Sequence, residues 1–133
     1  LKKRDLYRLC HAVRRVASSP WEITLFRAVF LTAFHACLRV GEVTAKSNGD
    51  RNPPSIASRD IRILRDRSIS VTVNRSKASQ FTPQRILLQE DPSSERLLDA
   101  LTEFIDLRRH GRFPTSTPFF CHLSGLPLTK FQF

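Results

Sequence analysis

The sequence predicts an α+β fold, mainly α-helical with a small three-stranded antiparallel sheet. Apolar residues recur at helical spacing over residues 3–17, 21–37 and 91–111. Between the second and third of these segments the apolar period changes to two, which is typical of strands. With 133 residues, of which 41% are hydrophobic, the chain has enough apolar material to bury the core of one domain.

The first two helices are predicted from apolar spacing and from a start signal between them. Residues 3–17 combine a helically spaced set of apolar side chains with basic side chains elsewhere around the helix. In the stretch SSPWE, Ser19 can cap a helix and Glu22 completes a capping box. The helix that follows, about Trp21 to Cys37, is apolar nearly all round, which is typical of a helix at the centre of a core. A further short helix is predicted from Val40 to Lys46.

Three short segments that follow the loop KSNGDRNPPS are predicted to form the antiparallel sheet. They are DIRILRD, SISVTVN and RILLQ, and the second alternates cleanly, with Ile69, Val71 and Val73 on one face. The connection between the second and third strands, RSKASQFTPQ, is long for a tight hairpin. Together with the start of the third strand it supplies three basic residues, Arg75, Lys77 and Arg85.

The clearest helix is DPSSERLLDALTEFIDLRRHG, for which Asp91 or Ser93 is the predicted cap and Gly111 lies just past the end. Its apolar stripe consists of Leu97, Leu98, Leu101, Phe104 and Ile105. The final segment, PFFCHLSGLPLTKFQF, predicts a short strand, a turn at Ser124-Gly125 and a new helix capped by Thr129.

Charge and cysteine content narrow the class of protein. The net charge is +10, from 22 Lys+Arg and 12 Asp+Glu, which favours a polyanionic partner such as nucleic acid over an ordinary solvated basic surface. No apolar run is long enough to span a bilayer, so we expect no membrane association.

The three cysteines are far apart and lack metal-finger spacing. We therefore expect no disulfide, metal or small-molecule cofactor, and an intracellular location, nuclear in a eukaryote and otherwise cytoplasmic.

Two basic residues are candidates for chemistry. Arg39 interrupts the apolar run TAFHACLRVGEV, and a guanidinium in that setting needs an anionic partner. That partner is either Glu42, three residues on, or a phosphate held by bidentate hydrogen bonds. Lys77, on the basic connection, is either a solvated loop lysine or a group that protonates or contacts phosphate oxygens.

The order of these motifs resembles the first part of the catalytic domain of the tyrosine recombinase (phage-integrase-like) family. ACLRVGEV resembles the first arginine box of that family, NRSKASQ its lysine-bearing β-hairpin, and PFFCHLSGLPLTKFQF the strand and helix start before its second box. The stretches LRVGE, RSK and GLPLT are similar to the corresponding sequences of the retrotransposon-borne branch of the family. The resemblance covers residues 6–133, and it rests on the order and spacing of the motifs.

The resemblance implies a role for each matching residue. Arg39 matches the catalytic arginine that clamps the scissile phosphate, with Glu42 as its supporting acidic residue. Lys77 matches the general acid that protonates the leaving 5′ oxygen. Arg75 and Arg85, beside this lysine, are expected to contact DNA together with Arg39 and Lys77. DNA is thus the implied partner, with self-association on DNA in the intact protein.

The remaining catalytic groups of the family are missing from their expected places. His110 and His122 lack the arginine three residues on that forms a His-x-x-Arg box, and the only tyrosine, Tyr7, lies in the first helix. We therefore expect residues 1–133 to be the N-terminal portion of a catalytic domain, truncated at its C-terminal end and inactive alone. Phe131 and Phe133 would then begin a helix without its packing partners. The alternatives are a non-catalytic nucleic-acid-binding remnant and a basic interaction module, for example one that binds RNA.

Overall fold

The α+β fold is confirmed. In the computed structural model, the described residues form two long helices, one short helix and a three-stranded sheet. The helices are α1 (Pro20–His35), α2 (Val40–Val43) and α3 (Glu95–Gly111), and the strands are β1 (Ile61–Ile63), β2 (Ile69–Val73) and β3 (Gln84–Leu88). The structure describes residues 5, 8–9, 11–12, 15, 19–38, 40–44, 56–74, 83–88, 95–111, 113 and 117–129. The described residues before position 19 are all helical, as predicted. They are Asp5, Arg8, Leu9, His11, Ala12 and Arg15.

Helix α1 begins as the capping signal predicts and ends earlier than predicted. Ser19 is its N-cap, and the Ser19 hydroxyl oxygen accepts a hydrogen bond from the Glu22 backbone N–H at 3.2 Å. The helix ends at His35 rather than at Cys37, because Cys37 adopts a left-handed backbone with φ 55°. The short helix α2 ends at Val43, before the predicted Lys46.

Helix α3 buries the predicted apolar stripe, with Leu97, Leu101 and Phe104 fully buried, Leu98 nearly so and Ile105 half-buried. Gly111 is the last residue of the helix and not the residue beyond it. A Cβ at Gly111 would lie 2.9 Å from Phe113 Cζ, so the absence of a side chain lets the Phe113 ring fold back over the helix end. The predicted caps Asp91 and Ser93 lie outside the described residues.

The strands form one antiparallel sheet in the order β1-β2-β3. Ile61 pairs with Val71, which pairs in turn with Ile86, so these three residues share the inner face of the sheet. Ile69 and Val73 lie on the same face and, like Val71, are buried, as the alternation predicts. This inner face joins the apolar sides of α1 and α3 in a single core.

The predicted strand in the last segment is wrong. Residues 117–129 make isolated bridges instead, between Ala57 and Pro118 and between Cys121 and Pro127. One partner in each bridge is a proline, which has no N–H to extend a ladder. The predicted turn is confirmed, with Gly125 at φ 86°, a conformation that favours glycine. The helix predicted after Thr129, with Phe131 and Phe133, lies outside the described residues.

An aromatic cluster connects the last segment to the helices. The Trp21 ring centroid lies 5.6 Å from those of Phe104 and Phe113, and Trp21 Nε1 donates to the Cys121 carbonyl oxygen at 2.9 Å. The start of α1 is thereby joined to the end of α3 and to residue 121.

Within the described part of the chain, no helix combines the length and hydrophobicity needed to cross a membrane.

Candidate nucleic-acid interface

The base of the connection between β2 and β3 is fixed by a buried carboxylate. Asp60 is 8% exposed, and its Oδ2 accepts hydrogen bonds from the Ala57 N–H at 2.7 Å and from Asn74 Nδ2 at 2.6 Å. Asn74 directly follows β2, and Val73 pairs with Gln84 at the start of β3. The connection that carries Arg75 and Lys77 in sequence therefore leaves and re-enters a firmly anchored end of the sheet.

The outer face of the sheet is mostly polar and carries two arginines beside the exposed Leu87. Arg62, Ser70 and Leu87 are register partners and form one row across it, with Thr72 and Arg85 in the next row. Arg62 and Arg85 are exposed, whereas Ser70, on the central strand between them, is only 6% exposed. Arg85 Nε donates to the Ser70 hydroxyl at 3.0 Å, which holds the arginine over the sheet. The geometry thus presents two guanidinium groups on the side opposite the core.

The turn between β1 and β2 extends this basic edge. Arg65 is exposed in the turn, and Asp66 Oδ1 accepts hydrogen bonds from the Ser68 hydroxyl at 2.6 Å and from the Ser68 backbone N–H at 3.0 Å. These hydrogen bonds, the side-chain one first, lower the pKa of the Asp66 carboxyl from its ordinary value, because they stabilise the ionised form. Arg67 follows at φ 67°, a conformation that non-glycine residues seldom adopt. The hydrogen bonds of Asp66 therefore keep the turn closed.

The structure describes some of the predicted site residues and not others. Arg85 lies on β3, on the outer face of the sheet, and Glu42 is half-buried on α2. Arg39, Arg75 and Lys77 lie outside the described residues. The predicted three-stranded sheet, whose β2–β3 connection contains Lys77 in sequence, is therefore confirmed. That Arg39 and Lys77 lie close together in one site stays a prediction.

Four exposed arginines were missed by the sequence reasoning, namely Arg59, Arg62, Arg65 and Arg67. Their signal was present in the stretch RDIRILRDR, where Arg62 occupies the outward position between two apolar residues of a strand. Arg62 Nε donates to the Arg59 carbonyl oxygen at 3.2 Å, so the first two of these residues are coupled.

Over the residues that the structure describes, this surface has neither a metal cluster nor a disulfide beside it. Among the described residues, no group of three or more His, Cys, Asp or Glu side chains is placed to hold a metal ion. The two described cysteines are free thiols, Cys37 exposed and Cys121 buried. Burial raises the pKa of the Cys121 thiol and outweighs the opposite effect of the nearby Arg108 guanidinium. We therefore expect Cys121 to be a neutral, unreactive side chain of the core.

Comparison of the chain with protein-family models, with curated proteins and with solved structures found no match.

Proposed function

We propose that this chain binds DNA through the outer face of its sheet and the connection between β2 and β3, as part of a tyrosine-recombinase-type catalytic domain. The observation that carries the proposal is the basic outer face itself. Arg62 and Arg85 project from it, and the anchored connection in the same sheet carries Arg75 and Lys77 in sequence. Exposed guanidinium groups on a rigid sheet can contact successive phosphates of a duplex.

The motif order extends this proposal from binding to chemistry. Arg39 would hold the scissile phosphate through two parallel hydrogen bonds and stabilise the charge that develops there. Glu42, three residues along the chain, would orient the Arg39 guanidinium, and Lys77 would protonate the leaving 5′ oxygen. In the proposed reaction a tyrosine hydroxyl attacks phosphorus, the bond to the 5′ oxygen breaks, and a 3′-phosphotyrosine forms.

The residues of this chain supply one arginine and the general acid of that reaction, and no tyrosine follows Lys77. We therefore predict that the purified 133-residue chain forms no covalent adduct with DNA. Denaturing electrophoresis of the protein incubated with labelled duplex DNA tests this point. A labelled protein band that survives denaturation and disappears on protease treatment would show that a nucleophile has been overlooked.

DNA binding itself is tested by fluorescence anisotropy with a labelled duplex over a salt titration. The affinity should fall steeply between about 50 and 200 mM salt, since each phosphate contact releases counterions. Arg62→Gln and Arg85→Gln should each reduce the slope of log affinity against log salt by about one. Arg109→Gln is the matched control, because this exposed arginine lies on α3, on the helical side of the sheet.

Two outcomes would contradict the proposal. Binding that is insensitive to salt would exclude phosphate contacts as its source. Equal slopes for the Arg62→Gln, Arg85→Gln and Arg109→Gln proteins would exclude the sheet face as the interface. A competition in which an RNA duplex displaces the DNA, together with unchanged binding by an Arg39→Ala, Lys77→Ala double variant, would favour an RNA-binding module instead.

A further inference from the structure

A cleft lies on the helical side of the sheet, at the end of α3. Its volume is about 320 Å³, near the lower limit for small-molecule sites. The walls are largely apolar and come from β1, α3 and the residues after α3, while the polar groups are two guanidiniums and a hydroxyl. The principal lining residues are Ile61, Ile105, Phe113, Phe119, Arg108 and Ser58.

The guanidinium of Arg108 is fixed in this cleft by contacts on several sides. Its Nη2 donates to the Ser58 hydroxyl at 2.6 Å and to the Pro118 carbonyl oxygen at 3.1 Å. Its central carbon lies 5.3 Å from the ring centroids of both Phe113 and Phe119, within the range of cation–π attraction. The charged group is therefore held in place before any ligand arrives.

All of these partners are neutral, so none of them balances the charge of Arg108. Within the described part of the chain, no carboxylate lies within ion-pair distance of Arg108, and its buried Nε has no hydrogen-bond partner. The nearby Cys121 thiol does not supply the missing charge, since burial keeps it protonated. A half-buried guanidinium without a counter-ion is unfavourable, and an anion in the cleft would relieve that penalty.

Arg109 adds a second positive charge at the edge of the same cleft. Its side chain is 77% exposed, and its Nη1 lies 3.9 Å from Asp106 Oδ1, at the limit of an ion pair. Such a contact leaves most of the guanidinium available to a ligand. The cleft thus combines a fixed cation in its wall, an adjustable cation at its rim and an apolar lining.

We propose that this cleft binds a small organic anion, a carboxylate or phosphate ester carried on a compact apolar or aromatic body. The anionic group pairs with Arg108 and Arg109, and the body packs against Ile61, Ile105 and the phenylalanine rings. This site is separate from the proposed DNA-binding face, which lies on the opposite side of the sheet.

Isothermal titration calorimetry of the full 133-residue chain tests the proposal with four probes: phenyl phosphate, benzoate, inorganic phosphate and benzyl alcohol. The first two should bind, while inorganic phosphate lacks the apolar body and benzyl alcohol lacks the charge. We expect each of these two to bind about tenfold more weakly or worse than phenyl phosphate. A saturating DNA duplex should leave the binding of phenyl phosphate unchanged, which separates this site from the DNA interface.

Two variants test which arginine pairs with the anionic group of phenyl phosphate. Arg108→Gln should weaken the binding of phenyl phosphate about tenfold or more without changing that of benzyl alcohol. Arg109→Gln, at an exposed position that does not hold the fold together, should weaken it by about twofold to fivefold, since a solvated charge contributes less. If Arg108→Gln unfolds, Arg109→Gln and the salt dependence of phenyl phosphate binding decide the question. The absence of binding at millimolar probe, equal affinity for benzyl alcohol, or displacement of phenyl phosphate by duplex DNA would overturn the proposal.

Discussion

Replacing Asp60 with alanine is expected to destabilise the domain by removing the anchor of the connection between β2 and β3. The carboxylate accepts one hydrogen bond from the Ala57 N–H and one from Asn74 Nδ2, and it is 8% exposed. Little water can therefore reach the Ala57 N–H once the carboxylate is gone.

The size of the effect follows from the two donors. A hydrogen bond to a charged group contributes about 1.5–3 kcal/mol, and a buried donor left without a partner loses most of that amount. Ala57 is 4% exposed, so its N–H stays unsatisfied, whereas the amide of the half-buried Asn74 can turn toward water. We therefore expect Asp60→Ala to lower the free energy of unfolding by about 2–4 kcal/mol.

Urea unfolding followed by the fluorescence of Trp21 measures this change. Trp21 is the only tryptophan of the chain and is 7% exposed, so its emission reports loss of the core. In a double-mutant cycle, Asp60→Ala and Asn74→Ala should show a coupling of about 1 kcal/mol. Asp99→Ala, at an exposed position on α3, is the control and should stay within about 0.5 kcal/mol of the parent.

A free energy of unfolding for Asp60→Ala as close to that of the parent as for Asp99→Ala would refute the anchoring role of the carboxylate. A large loss of stability with no coupling to Asn74 would show that Asp60 supports the 57–60 turn alone. In that case the start of the β2–β3 connection is not anchored by the carboxylate. Either result would weaken the argument that the sheet presents a firmly held connection to DNA.

Two substitutions, a cysteine-labelling experiment and the pH dependence of urea unfolding test the fold further. Ser19→Ala should lower the free energy of unfolding by about 1 kcal/mol in urea titrations, through loss of the α1 cap. Gly111→Ala should lower the melting temperature, although alanine is favoured over glycine in helices by about 1 kcal/mol, because the new Cβ meets the Phe113 ring. At neutral pH, peptide mapping after iodoacetamide treatment should find Cys37 alkylated and Cys121 alkylated only in urea. Since burial raises the folded-state pKa of Cys121, its contribution to stability should be fully present below the pKa of the unfolded thiol and lost as pH rises through the folded-state pKa.

Local patterns predicted the elements of the fold well, because period and caps act over a few residues. The alternation of Ile69, Val71 and Val73 predicted their shared buried face correctly. Ser70 lies on the opposite face of the strand, yet it is only 6% exposed, and its hydroxyl accepts a hydrogen bond from Arg85 of the neighbouring strand. That contact depends on strand register, which a single strand does not encode.

The features that were mispredicted or missed depend on contacts that are distant in sequence or on competing local rules. The last segment has strand-like composition, but Pro118 and Pro127 occupy the positions where it meets its partners. The Arg108 cleft could not be inferred from the stretch LRRHG, since its polar wall joins Arg108 to Ser58, 50 residues away. Basic residues at the end of a helix are expected from the helix dipole alone, so they carried no signal of a ligand site.

The distribution of charge on the two sides of the sheet gives the proposed DNA complex a direction. On the helical side, Asp99, Glu103 and Asp106 line a groove of about 500 Å³ along α3, together with Arg67. On the other side, Arg62 and Arg85 stand exposed on the outer face. The carboxylates of this groove outnumber its one guanidinium, so long-range electrostatics favour the approach of a polyanion to the outer face over its approach to the groove. In the proposed complex, this field would concentrate DNA at the sheet whose β2–β3 connection carries Lys77 in sequence.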